Sequence, residues 1–203
     1  MKALIAELES AAARLTRRVM SEMYRDPFWM ERYGDRGRGH ADTDNDFHVK
    51  YIVSALEADD PSLFATYGRW LRDLLVARGM CSRHLADNFD HLADAIAEEK
   101  WADREIAVAI LRVGTAGLRH TTGDAAAIEN HRYVWVATLG EDGTRADHVL
   151  SYVADALVTR QRAGLDSYID HLARHTDAAK LLARIAALPG LPAAARSLIE
   201  GPR

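Results

Sequence analysis

Apolar residues return every three or four positions along almost the whole chain, and this single periodicity excludes most folds before composition is weighed. Leu4, Leu8, Ala11, Leu15, Val19 and Met23 open the pattern at the spacing that lines one face of an α-helix. Asp26-Pro27 reads as a stop followed by a new N-cap and first-turn proline, leading into a short turn through Phe28, Trp29 and Met30. Thr43 is the expected N-cap of a helix to about Ala58, with Asp44 and Asp46 in its first turn. Asp60-Pro61 starts the next, striped by Leu63, Tyr67, Trp70, Leu71 and Leu74 and closed by Gly79. Ser82 caps a stripe of Leu85, Phe89, Leu92 and Ile96, and Asp103 one of Ile106, Ile110 and Val113.

Gly114, Gly117 and Gly123 weaken the pattern over residues 114–131, which is the expected boundary between helical units at 1–113 and 131–203, either separate or packed as one domain. Tyr133 to Leu139 is the one stretch rich in β-formers; it reads as a short strand or as the start of a buried helix. Helical spacing resumes from Thr144. The fold class is therefore all-α, a multi-helix bundle of about eight helices with at most one short strand near 133–139. A shift of 101 positions aligns Asp46 with Asp147, Tyr51 with Tyr152, Leu56 with Leu157, Tyr67 with Tyr168 and Leu71 with Leu172, which raises a duplicated four-helix unit beside shared helix periodicity as the explanation.

Composition removes several function classes. The apolar runs are far shorter than the roughly 20 residues that cross a bilayer, and Glu7 and Glu9 interrupt the stretch where a secretory signal needs an apolar block, so no membrane contact and a cytoplasmic location are expected. Cys81 is the only cysteine, which fits a reducing compartment and reads as structural. A net charge of −4 with interspersed signs gives no footprint for nucleic acid.

Nine histidines are the main chemical raw material. His48 shares the inward stripe of its helix with Tyr51, Ile52 and Ala55, and Asp44 stands one turn before it, where a carboxylate orients an imidazole. The pair recurs as Asp87/His91, on a helix whose His84, Asn88 and His91 face is offset from the apolar stripe and reads as a solvated flank. Asp44, His48, Asp87 and His91 are thus a candidate transition-metal set between helices, although the Glu-x-x-His units of di-iron carboxylate sites are missing. His171 and His175 have a chelating spacing without the glutamate of a zinc protease, and read as a surface pair. Gly34 to His40, with Arg36 and Arg38, reads as a glycine-rich surface loop able to cradle an anion, without a P-loop ending. Phe64, Tyr67 and Trp70 are either core or the lining of a pocket for a flat ligand.

Arg32-Tyr33-Gly34-x-Arg36-Gly37-Arg38, Phe47-His48-Val49-x-Tyr51, Ala55-Leu56, Leu63-Phe64-x-x-Tyr67-x-x-Trp70 and Arg78-Gly79 together resemble a helical region found upstream of cobalamin-binding domains in bacterial regulatory proteins. Trp101-x-x-x-Glu105-Ile106-x-Val108-Ala109 is similar to the helical cap over the corrinoid in such proteins. The Glu-His that follows in the cap is Leu111-Arg112 here, and no Asp-x-His-x-x-Gly motif occurs. The resemblance implies a regulatory helical module, with or without its own ligand. The expected function is a sensory or regulatory protein holding a small hydrophobic or tetrapyrrole-like ligand between helices, with His48, Tyr51, Tyr67 and Trp70 lining the pocket and Asp44 orienting His48. A metal-dependent enzyme and a scaffold for a partner protein or a second copy of the chain are the alternatives, so enzymatic activity stays open.

Overall fold

The first stripe folds as read. In the computed structural model, which describes residues 1–201, α1 spans Lys2–Met23 and buries Leu4, Leu8, Ala11, Leu15, Val19 and Met23. Each large apolar side chain removed from water there contributes about 1.5–3 kcal/mol, which outweighs the weak intrinsic stability of an isolated helix. Asp26 caps the next helix by accepting from the Phe28 amide at 2.9 Å, with Pro27 at the first helical position.

That helix, α2, runs from Pro27–Glu57 and corrects two expectations. Residues 34–40 are not a loop: only Gly34 leaves helical geometry (φ +60°, ψ −167°), so the segment is a one-residue kink between two helical stretches. Thr43 is not an N-cap but a mid-helix residue whose hydroxyl donates back to the Gly39 carbonyl at 3.4 Å. The loop cradle is reduced to the first turn after the Gly34 kink, because amides further into the helical stretch are spent on the helix.

Beyond it lie α3 (Ser62–Ala77), α4 (Ser82–Ala97), α5 (Arg104–Gly117), α6 (Gly123–Leu139), a 3₁₀ turn (Gly140–Asp142), α7 (Gly143–Thr159), α8 (Ala163–His175), α9 (Ala178–Ala186) and α10 (Ala193–Glu200). Among the described residues no strand forms. Residues 133–139, the one strand candidate, complete α6, where Trp135 is buried and donates its indole N–H to the Pro189 carbonyl at 3.1 Å. Packing of that face overrides local β-preference. Among the described residues ten α-helices form, close to the eight or so expected.

The chain forms two units, Met1–Leu71 with Leu85–Leu118, and Arg72–His84 with Arg119–Arg203. The break at 118/119 falls inside the expected window, but assignment of residues 72–84 to the second unit departs from the expected 1–113 and 131–203 division. In the first unit α2 packs on α1 and α5, around Leu8, Ile52, Phe64, Phe89 and Leu111. Gly114 is required there: a Cβ would stand 2.4 Å from two ring carbons of Phe64. In the second unit α7 packs on α6, α8 and α10, around Val149, Val153, Tyr168 and Ile185. The pairings α1 with α2 and α2 with α5 recur as α6 with α7 and α7 with α10.

Candidate functional site

In the first unit α2 carries Asp44, Phe47, His48 and Tyr51, and α3 carries Leu63, Phe64, Tyr67 and Trp70. The i, i+3, i+4 spacing turns His48 inward and leaves Phe47 and Tyr51 toward the rim. His48 is 1% exposed, and its Nδ1 lies 2.7 Å from the Tyr67 hydroxyl. Phe89 of α4 meets the imidazole edge-on at 5.0 Å and 87°.

Burial drives the His48 pKa down to about 3, opposed by side-chain hydrogen bonding with Asn88. The ring is therefore neutral at pH 7. Burial, followed by the fields of Asp44 and Tyr51, raises the Tyr67 pKa, so its hydroxyl keeps its proton; with the Asn88 side-chain oxygen as acceptor at the other ring nitrogen, the arrangement that satisfies both contacts has Tyr67 donate to Nδ1. The imidazole proton then resides on Nε2, the nitrogen left for Asn88. Asn88 Oδ1 has no partner within strict hydrogen-bond geometry, so the Asn88 interaction is the weaker of the two; its Nδ2 donates to Met23 Sδ at 3.3 Å. His48 is a brace between α2, α3 and α4.

Above the brace the aromatics are open. Tyr51 stacks flat on Tyr67 at 3.8 Å and 14°, and Trp70 follows at 6.2 Å from Tyr67. Tyr51 is 39%, Phe47 47% and Trp70 59% exposed, while Tyr67 is buried. The expected inward pocket thus divides into a buried His48–Tyr67 pair and an exposed Phe47, Tyr51 and Trp70 surface. Asp44 does not orient His48 through a hydrogen bond to it; the bonded partner is Tyr67, and Asp44 acts on Tyr67 through its charge.

The candidate metal set does not assemble. Among the described residues Asp44, His48, Asp87 and His91 form no cluster with ligand atoms close enough to share an ion. The α4 residue that faces His48 is Asn88, whereas His91 is half-exposed beside Arg18, Glu22 and Asp94. The solvated-flank reading of His84 and Asn88 is corrected too, since both are buried. His171 is likewise buried, its ring parallel to Tyr168 at 6.1 Å, so His171 and His175 are not a surface pair.

Sequence reasoning missed the counterpart of the brace in the second unit. His148 Nδ1 lies 3.2 Å from the Tyr168 hydroxyl, and Tyr152 stacks on Tyr168 at 5.0 Å and 21°. The two tyrosines align at a shift of 101, but His148 corresponds to His48 only at a shift of 100. Histidine and tyrosine stand three apart in α2 and four apart in α7, and both spacings keep them on one helix face. In this copy all members are buried, and buried His171 occupies the place of exposed Trp70.

Also missed was Asp155, 2% exposed on α7. Its Oδ2 accepts from the Ser82 amide at 2.7 Å and its Oδ1 lies 2.8 Å from His120 Nε2, while Ser151 Oγ accepts from the Arg83 amide at 3.1 Å. The first turn of α4 is therefore capped by another helix rather than by its own Ser82. Burial and the Asp155 charge push the neighbouring Cys81 thiol up to about 12, which keeps it protonated. No local pattern marks an aspartate for such a tertiary cap.

No protein-family model, curated protein or solved structure matches the chain. No helix among the described residues is long and apolar enough to cross a membrane.

Proposed function

We propose that the chain is a regulatory binding module that takes a flat, partly apolar ligand of tetrapyrrole-like size on the open aromatic face of α2 and α3. The observation that carries this reading is the flat Tyr51–Tyr67 stack with Trp70 beside it, held from below by His48. Exposed aromatic rings in contact with one another leave apolar area in water that a flat ligand covers. The second unit keeps the brace but buries the equivalent rings, so an open aromatic face is not a requirement of the fold. The resemblance to helical modules upstream of cobalamin-binding domains supports the regulatory reading. His48 supports the ligand floor in this proposal and does not ligate, because one nitrogen holds Tyr67 and the other is turned to Asn88.

Titration with protoporphyrin IX, haemin, biliverdin and hydroxocobalamin, followed by absorption and tryptophan fluorescence, tests the proposal. At least one of them is expected to bind saturably, with binding lost in a Tyr51→Ala/Trp70→Ala variant that melts like the wild type. Absence of saturable binding by all four, or equal binding by the variant, overturns it.

A further inference from the structure

A charged cleft of about 370 Å³ lies in the second unit, between the start of α4, α6 and α7. Three guanidiniums, Arg83, Arg119 and Arg132, share it with two carboxylates, Glu129 and Asp147. The balance of +1 stands out on a chain of net charge −4. In the first unit, the α1/α2 cleft sets Glu9, Asp46 and Glu57 against Lys50 alone, and the α1/α4 cleft sets Glu22, Asp94 and Glu98 against Arg18, Arg25 and the half-exposed His91. Neither gathers three guanidiniums.

The layering of the charges matters more than their sum. The Glu129 side chain is 4% exposed, lying 3.5 Å from Arg132 Nη1 and 3.8 Å from Arg119 Nε. Asp147 lies 2.9 Å from Arg132 Nε and 3.5 Å from Arg83 Nε, and is 22% exposed. The Arg119 side chain, at 55%, is far more open than either acid. Glu129 lies beneath Arg119 and Arg132, and Asp147, at 22%, is about as open as Arg132, at 16%, so it is Arg119 that carries guanidinium out to solvent at the mouth.

Two of these guanidiniums are incompletely used. Arg119 spends Nε on the long Glu129 contact and Nη2 on the Glu129 carbonyl at 3.2 Å, and Arg132 spends Nη1 and Nε on the two acids. Among the described residues Arg119 Nη1 and Arg132 Nη2 donate to no protein group. Fixed guanidinium edges of this kind pair with oxyanions, and the three terminal oxygens of a phosphate serve two edges where a carboxylate offers two oxygens. Tyr133, 86% exposed, and Val136 also line the cleft and give an apolar wall beside the charge.

We infer that this cleft binds a phosphate monoester of a small aromatic or apolar group, the phosphate between Arg119 and Arg132 and the organic part against Tyr133. The site is independent of the aromatic face proposed above, and nothing in that reading requires it.

Calorimetric titration of the full chain at constant ionic strength, with phenyl phosphate, inorganic phosphate and benzoate, tests the inference. Phenyl phosphate is expected to saturate one site, with inorganic phosphate weaker and benzoate weaker still. Arg119→Ala is expected to weaken phenyl phosphate at least about tenfold, or roughly 1.4 kcal/mol. Tyr133→Ala should weaken phenyl phosphate and leave inorganic phosphate unchanged. Arg145→Ala, whose guanidinium pairs with Asp142 outside the cleft, should change neither. Thermal melts confirm that each variant is folded, and Arg83→Gln supplies a second loss of cleft charge should Arg119→Ala fail to fold. Absence of saturable phenyl phosphate binding, equal binding by folded Arg119→Ala, or benzoate binding as tightly as phenyl phosphate overturns the inference.

Discussion

His48 should make the chain acid-sensitive by an amount that the structure sets. Its pKa falls from the ordinary 6.5 to about 3 because the ring is buried among Tyr67, Phe89 and Asn88. Between those values the unfolded chain binds a proton that the folded chain refuses, so stability falls as pH drops below 6.5. Each pH unit in that window costs about 1.4 kcal/mol, and the whole window bounds the effect at roughly 5 kcal/mol. Between about pH 7 and pH 5 the loss through this group is roughly 2 kcal/mol. With a urea dependence of about 2 kcal/mol per molar, the unfolding midpoint moves by about 1 M. Other groups titrate too, so the decisive measurement is a difference. His48→Phe/Tyr67→Phe removes the titrating ring and also the hydroxyl that would be stranded by the single change. Urea unfolding of wild type and double variant at the two pH values should show a midpoint drop smaller in the variant by about 1 M. An equal drop in both proteins refutes the account of His48 as a neutral buried brace. The single variant His48→Phe should be less stable than the double by about 1–3 kcal/mol, because it leaves the Tyr67 hydroxyl buried without an acceptor.

Gly114→Ala should destabilise the first unit by about 1–3 kcal/mol, since the new methyl meets the buried Phe64 ring, and thermal unfolding reads the loss. Gly68→Ala, whose Cβ would meet its nearest neighbour at 3.4 Å, serves as the contrast and should cost much less. Asp155→Ala should cost about 3 kcal/mol, because it strands the Ser82 amide and His120 in a buried setting. In the native protein Cys81 should resist iodoacetamide at mildly alkaline pH and react only after unfolding, a difference that mass spectrometry of the alkylated chain records. Trp70→Ala should change the melting temperature little, because the side chain is largely in water, while abolishing the fluorescence response to a bound ligand.

The all-helical architecture was legible in the sequence because it rests on local and periodic information. The α1 stripe, the Asp26-Pro27 start and the turn at Gly79 each depend on residues close in the chain, and each forms as the pattern indicates. The inward face of His48 followed from the same periodicity. The readings left open or overturned lie where a segment's neighbours decide its state. Tyr133 to Leu139 is helical because Trp135 packs and bonds to Pro189, more than fifty positions away. Gly34 to His40 is helical apart from Gly34, whose positive φ a glycine adopts without a Cβ clash, and the helix holds through Gly37 and Gly39 despite glycine's poor helix propensity.

What the His48 face does was decided by tertiary structure alone. Periodicity shows that a side chain points inward, but not what it meets, and Tyr67 and Asn88 rather than Asp44 meet this one. The tertiary cap from Asp155 and the layered arginine cleft are likewise products of helices remote in sequence. Side-chain partners across helices depend on crossing geometry and register, which the apolar stripe constrains only to a face, so the sequence determined the helices and their buried sides while packing determined the chemistry between them.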